Sequence, residues 1–130
     1  MNIMTSAGFL YVGLGGGLGA MLRYGVSLLF SQTSTLTKFP WSTLTVNLIG
    51  CFVIGLLWQY SSKSPQISLF WVVGVLGGFT TFSSFGLDGL KLFQQEAYSM
   101  LAGYVLLSNI VGLLLVFLGV KSGTLIQAYL

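Results

Sequence analysis

The residues with chemistry to offer in this chain are few, and almost all are hydrogen-bond donors. Residues 77–86 read GGFTTFSSFG. The hydroxyls of Thr80, Thr81, Ser83 and Ser84 lie among three phenylalanines, Phe79, Phe82 and Phe85. At helical spacing these rings share a face, and packing is their plainest role. An aromatic ring is also electropositive at its edge. Edges turned inward would stabilise a small anion without trapping it. Asn47 stands in TLTVNLIG, on one helical face with Thr43 and Cys51, each four apart. Its amide either bonds a neighbouring helix or faces a solute path. Tyr104 and Ser108 are likewise four apart, with Asn109 turned about 100° away. They read as a polar track, or Ser108 simply bonds back to its own helix. Arg23 either snorkels to a membrane edge or sets a positive charge at a pore mouth.

Other chemistries are poorly supplied. Histidine is absent and Cys51 is the only cysteine. One chain therefore offers no His/Cys metal site and no internal disulfide. The two acids, Asp88 and Glu96, lie about 12 Å apart along a helix, a poor acid–base pair.

The elements that must position these groups are membrane helices. Of 130 residues, 55% are hydrophobic and 5% charged, with a mean hydropathy of +0.91. Soluble proteins carry about 25% charge. Charges are missing from residues 1–22, 39–62, 64–87 and 97–120. A spanning helix needs about 20 apolar residues. The reading is a single all-α membrane domain, 1–130, with four spans near 7–30, 41–60, 67–92 and 98–120. No basic residue precedes Arg23, so the first apolar run reads as a retained span rather than a cleaved signal. The net charge of +3 is too diluted for nucleic-acid binding.

Span one carries GLGGGLGA at 13–20. Small residues four apart let another helix approach closely. GGGLGA also fits a dinucleotide-binding pattern, but the preceding strand and the later acid are missing. In span three, Gly77 and Gly78 weaken the helix and the hydroxyls compete for its hydrogen bonds. A break in mid-membrane is expected, with its freed backbone groups satisfied by protein, water or an ion. The stretch SQTSTLTKFPW reads as a loop, Pro40 as the start of span two, and the tail SGTLIQAYL as weakly structured. Lys63 and Lys121 fall on one side, Lys38 and Lys91 on the other, with Arg23 nearer the second. So flat a bias suits insertion both ways up, although it also occurs in proteins of one orientation.

GGFTTFSSF, TLTVNLIG and GLGAMLRY together resemble the Fluc (CrcB) family of fluoride channels. The likeness covers all four spans in order. It implies an antiparallel, dual-topology homodimer in the bacterial inner membrane, with two pores lined by both chains. It implies passive export of fluoride, lowering its cytoplasmic level, and no enzymatic activity. Phe82 and Phe85 match the pore phenylalanines, Asn47 the pore asparagine, and Tyr104 and Ser108 the polar track. Arg23 matches an entrance arginine and Asp88 an acidic vestibule residue. Gly77 and Thr80 match the residues whose backbone carbonyls hold a central structural Na⁺. Two positions depart from the family pattern. Gly112 stands where some relatives carry another hydroxyl, and Ser84 where many carry threonine.

Fluoride is small and strongly hydrated. Replacing its water in a narrow space requires donors, and Asn47, Thr81, Ser83, Ser84, Tyr104 and Ser108 are of that kind. The alternative is a small dual-topology, proton-coupled drug transporter. That activity needs a carboxylate inside the membrane, whereas Asp88 falls near a span end.

Overall fold

The computed structural model describes residues 3–129, with side chains from Ser6 onward. Every described element is helical. Helix α1 covers Ile3–Thr37 and α2 covers Trp41–Ser61. A short α3, Pro65–Ile67, leads into a π-helical stretch, Ser68–Leu76, and then α4, Gly77–Phe79. After a break at Thr80 and Thr81 comes α5, Phe82–Gln94. Helix α6, Tyr98–Leu106, continues through π-helical Leu107–Val111 into α7, Gly112–Tyr129. Four stretches are long and apolar enough to cross a membrane: Ser6–Leu29, Trp41–Ser61, Pro65–Gln94 and Tyr98–Tyr129.

Two helix pairs organise the packing. Helix α1 lies along the π-helical stretch and α4, and α2 lies along α7. Both seams are backbone against backbone. A Cβ on Gly15 or Gly19 would strike the backbone of Phe70 or Val75, and one on Gly78 would strike Gly16. In the second seam Gly55 and Gly119 bear on each other's helix in the same way. Lipid tails give no hydrophobic drive between helices, so such close contact is what holds spans together. Of the expected glycine faces, 15/19 and 16/20 are used within the chain, whereas Gly13 and Gly17 face nothing within 4 Å.

Three expectations are adjusted. The hydroxyl-rich segment after span one stays helical to Thr37. Ser31, Thr35 and Thr37 donate to carbonyls three or four residues back, so their hydroxyls are satisfied on the helix. The helix stops at Lys38, which has φ 58°, just ahead of Phe39 and Pro40. Pro40 precedes the first turn of α2 rather than opening it, and its carbonyl accepts from Leu44 N at 3.1 Å. The tail is helical to Tyr129, because Gly123 packs on Leu56 and Gln59 donates to Thr124.

Candidate functional site

The break in span three lies one turn beyond the glycines. Gly77 and Gly78 remain helical, and Gly78 serves the close seam with α1. The extended residues are Thr80, φ −83° and ψ 159°, and Thr81, φ −154° and ψ 118°. Asn47 holds them open. Its Oδ1 accepts from Thr81 N at 2.8 Å, and its Nδ2 donates to Thr81 O at 3.0 Å. The amide thus satisfies both backbone groups of a residue that is 8% exposed. Thr81 in turn caps α5, its Oγ1 accepting from Ser84 N at 3.1 Å. Its hydroxyl donates to Ser84 Oγ at 3.1 Å and lies 3.2 Å from Ser83 Oγ. A methyl of Thr80 is pressed against Gly50 of α2, where no side chain would fit.

These captures have a consequence for two carbonyls. In an unbroken helix Gly77 O would accept from Thr81 N, and Thr80 O from Ser84 N. Both amides are taken by side-chain oxygens, Asn47 Oδ1 and Thr81 Oγ1. Among the described residues no three His, Cys, Asp or Glu side chains gather. Carbonyl oxygens suit hard cations.

A cleft of about 380 Å³ opens on the break. Asn47, Gly77, Thr80, Thr81, Phe82, Phe85, Ser108 and Asn109 line it. Cys51 also lines it, and a Cβ on Gly112 would come 3.3 Å from its sulfur. A side chain at 112 would therefore need Cys51 to shift by a few tenths of an ångström. Asn109 spends its amide on Val105 O at 2.8 Å. Ser83, Ser84, Arg23, Asp88 and Tyr104 do not line this cleft. Neither does Glu96, so both acids lie outside it.

An aromatic run leads away from the cleft. Phe82 and Phe85 have centroids 5.5 Å apart, and Phe85 and Tyr104 5.1 Å. Tyr104 and Phe39 meet edge to face with centroids 5.7 Å apart, and Phe39 lines a second pocket of about 250 Å³ at the span ends. Phe82 is 83% exposed on a single chain, whereas Tyr104 is fully buried among Leu44, Leu92 and Phe85. Asp88 lines that second pocket. It accepts from Thr43 Oγ1 at 2.6 Å and pairs with Lys91 at 3.5 Å. The Thr43–Asp88 and Asn47–Thr81 bonds give the shared face of α2 its purpose. The spacing of 43 and 47 was visible, but not the partners in span three. Arg23 pairs with no acid among the described residues, and its carbonyl accepts from Ser27.

Three buried side-chain oxygens have no hydrogen-bond partner among the described residues: Ser34 Oγ, Tyr104 Oη and Ser108 Oγ. Buried polar groups are nearly always paired. Two of the three belong to the track expected on span four.

Residues 10–120 match the family model of CrcB-like proteins, Camphor Resistance (CrcB). The chain belongs to the CrcB family. A protein of Helicobacter acinonychis (strain Sheeba) named fluoride-specific ion channel FluC is 50% identical over 115 residues, covering 85% of this chain and 91% of its own. One of the same name from Helicobacter pylori (strain HPAG1) is 47% identical over 115 residues, covering 85% and 88%. Another from Agrobacterium fabrum is 44% identical over 116 residues, covering 86% and 92%. CrcB relatives are thus ion channels by name rather than enzymes, and nothing among them favours the proton-coupled transporter. With four membrane-spanning helices, this CrcB chain is a multi-pass protein of the bacterial cell membrane.

Proposed function

We propose that this chain is a fluoride channel that lets the ion leave the cytoplasm down its own gradient. One observation carries the reading beyond the relatives' name. The buried hydroxyls of Tyr104 and Ser108 lack acceptors and lie beside the run of rings from Phe82 to Tyr104. Donors without partners and rings with electropositive edges suit a dehydrated anion that accepts hydrogen bonds strongly. Asn47 contributes a second amide hydrogen to the cleft, since one is spent on Thr81. Thr81 adds a hydroxyl at the cleft, linked to those of Ser83 and Ser84 behind it. Arg23 and Asp88 belong to the approaches, where Asp88 is paired with Lys91 and accepts from Thr43.

The working unit is a pair of copies in opposite orientations, with two pores. Two features support it: the outward Phe82 and the open glycine face at Gly13 and Gly17. A structural Na⁺ would be held by the Gly77 and Thr80 carbonyls. One chain offers only two such oxygens, and a two-fold pair offers four. Such an ion would supply a fixed positive charge at the break.

The test is halide efflux from liposomes holding only this protein, with fluoride and chloride electrodes side by side. Fast fluoride release without chloride release is expected. Equal release of both, or none from folded protein, overturns the reading. Replacing Na⁺ throughout by N-methylglucamine should cut fluoride release and loosen the pair.

A further inference from the structure

The third unpaired hydroxyl, Ser34 Oγ, does not line the cleft on the break. Ser34 lines the pocket of about 250 Å³ between the end of α1 and the end of α5. Its other polar walls are Lys38, Lys91, Gln95, Asp88 and Thr35, whose hydroxyl is spent on Ser31 O. Asp88 is spoken for by Thr43 and Lys91. Lys38 makes no salt bridge with a described acid. The pocket therefore carries about one uncompensated positive charge, an amide and a buried hydroxyl. Lysines near helix C-termini are ordinary partners of the helix dipole. That role explains neither the buried, unpaired hydroxyl nor the open volume. The volume is several times the roughly 30 Å³ share of one water, too roomy for a stripped halide.

The level of the pocket is that of lipid headgroups. The apolar span of α1 ends at Leu29, and Ser34 follows five residues on, about 8 Å along the axis. Trp41, 37% exposed and bonded through Nε1 to Thr37 Oγ1 at 3.1 Å, sits where interfacial tryptophans sit. Below Thr35, two turns down the same face, Leu28 is 56% exposed, and Leu29 beside it is 81% exposed. An apolar strip thus runs from the pocket into the bilayer. We infer that Ser34, Lys38, Lys91 and Gln95 bind the phosphate of an anionic lipid, with an acyl chain along α1. Basic pockets between membrane helices take headgroups of this kind.

The experiment is native mass spectrometry of the purified assembly titrated with phosphatidylglycerol and with phosphatidylcholine. A clear preference for phosphatidylglycerol is expected, weakened about fivefold by Lys38→Gln, the loss of one lysine's attraction. Ser34→Ala should weaken it as well, and both variants should keep the wild-type unfolding curve in graded denaturant as proof of fold. Equal binding of the two lipids overturns the inference, as does an undiminished preference in both variants. Inorganic phosphate is the remaining arm. If millimolar phosphate binds as tightly as the lipid and displaces it, the site takes free phosphate and the lipid source is wrong.

Discussion

Replacing Asn47 by alanine should damage the fold before it damages conduction. The change removes both hydrogen bonds to Thr81, at 2.8 and 3.0 Å, from a residue 8% exposed. Two buried backbone groups then lose their partners. Each such loss costs about 1–3 kcal/mol. Side-chain bonds in membrane proteins have averaged nearer 0.6 kcal/mol, because broken groups find other partners. Thr81 is held in an extended conformation that denies it helical partners, so a total of about 2 kcal/mol is expected, at the low end of the first range. That is roughly a thirtyfold shift in the unfolding equilibrium. The assay is unfolding in graded denaturant, followed by the three tryptophans, with fluoride efflux measured on the same preparations. Thr81→Ala is the comparison. It keeps the backbone clamp and loses the cap on Ser84 N, at about 1 kcal/mol. Asn47→Ala should therefore be the more destabilising of the two, with efflux lost alongside. If Asn47→Ala unfolds within about 0.5 kcal/mol of wild type, below even one such bond, the clamp does not hold the break. If the fold is intact and only efflux is lost, the amide acts on the ion alone.

Other substitutions separate roles in the same assays. Tyr104→Phe and Ser108→Ala each remove a buried hydroxyl without a partner. Stability should hold or rise, while fluoride efflux falls about tenfold for one lost donor; unchanged efflux in both would remove them from the path. Gly19→Ala pushes a methyl into the backbone of Val75 and should cost about 1–3 kcal/mol by overpacking. Gly13→Ala, with nothing within 4 Å, should leave the chain's own fold untouched in the same denaturant series. Asp88→Asn keeps an acceptor for Thr43 and loses the Lys91 pair, so efflux should persist without a proton gradient. Loss of transport in Asp88→Asn would instead favour proton coupling.

The lines most readable in the sequence were those set by solvent. Charge-free runs longer than a bilayer is thick read as spans, and TTFSS after two glycines in mid-span reads as a place where a helix gives way. The residues needing explanation were legible too, because an amide or hydroxyl in hydrocarbon is costly whatever it touches. Partners were not legible. Asn47 and Thr81 are 34 residues apart, and Thr43 and Asp88 are 45 apart. Nothing in local spacing selects one distant partner over another. The same holds for the glycines at 77 and 78. Their weakness as helix formers pointed to the break, yet Gly78 is needed for contact with α1, and the kink falls at the threonines that Asn47 reaches. In the segment 31–37 the hydroxyls pointed to a loop and instead closed on their own helix.

Composition and spacing by themselves thus determined the four spans, the interrupted third and the set of polar residues lodged among them. Those follow from transfer out of water, which acts on each residue separately. Only the tertiary structure decided which hydroxyls are paired and which are left over. Pairing depends on where a second helix lies to within an ångström. The glycine seams set that distance for α1 and α2, and in the resulting packing Tyr104 and Ser108 have donors to spare.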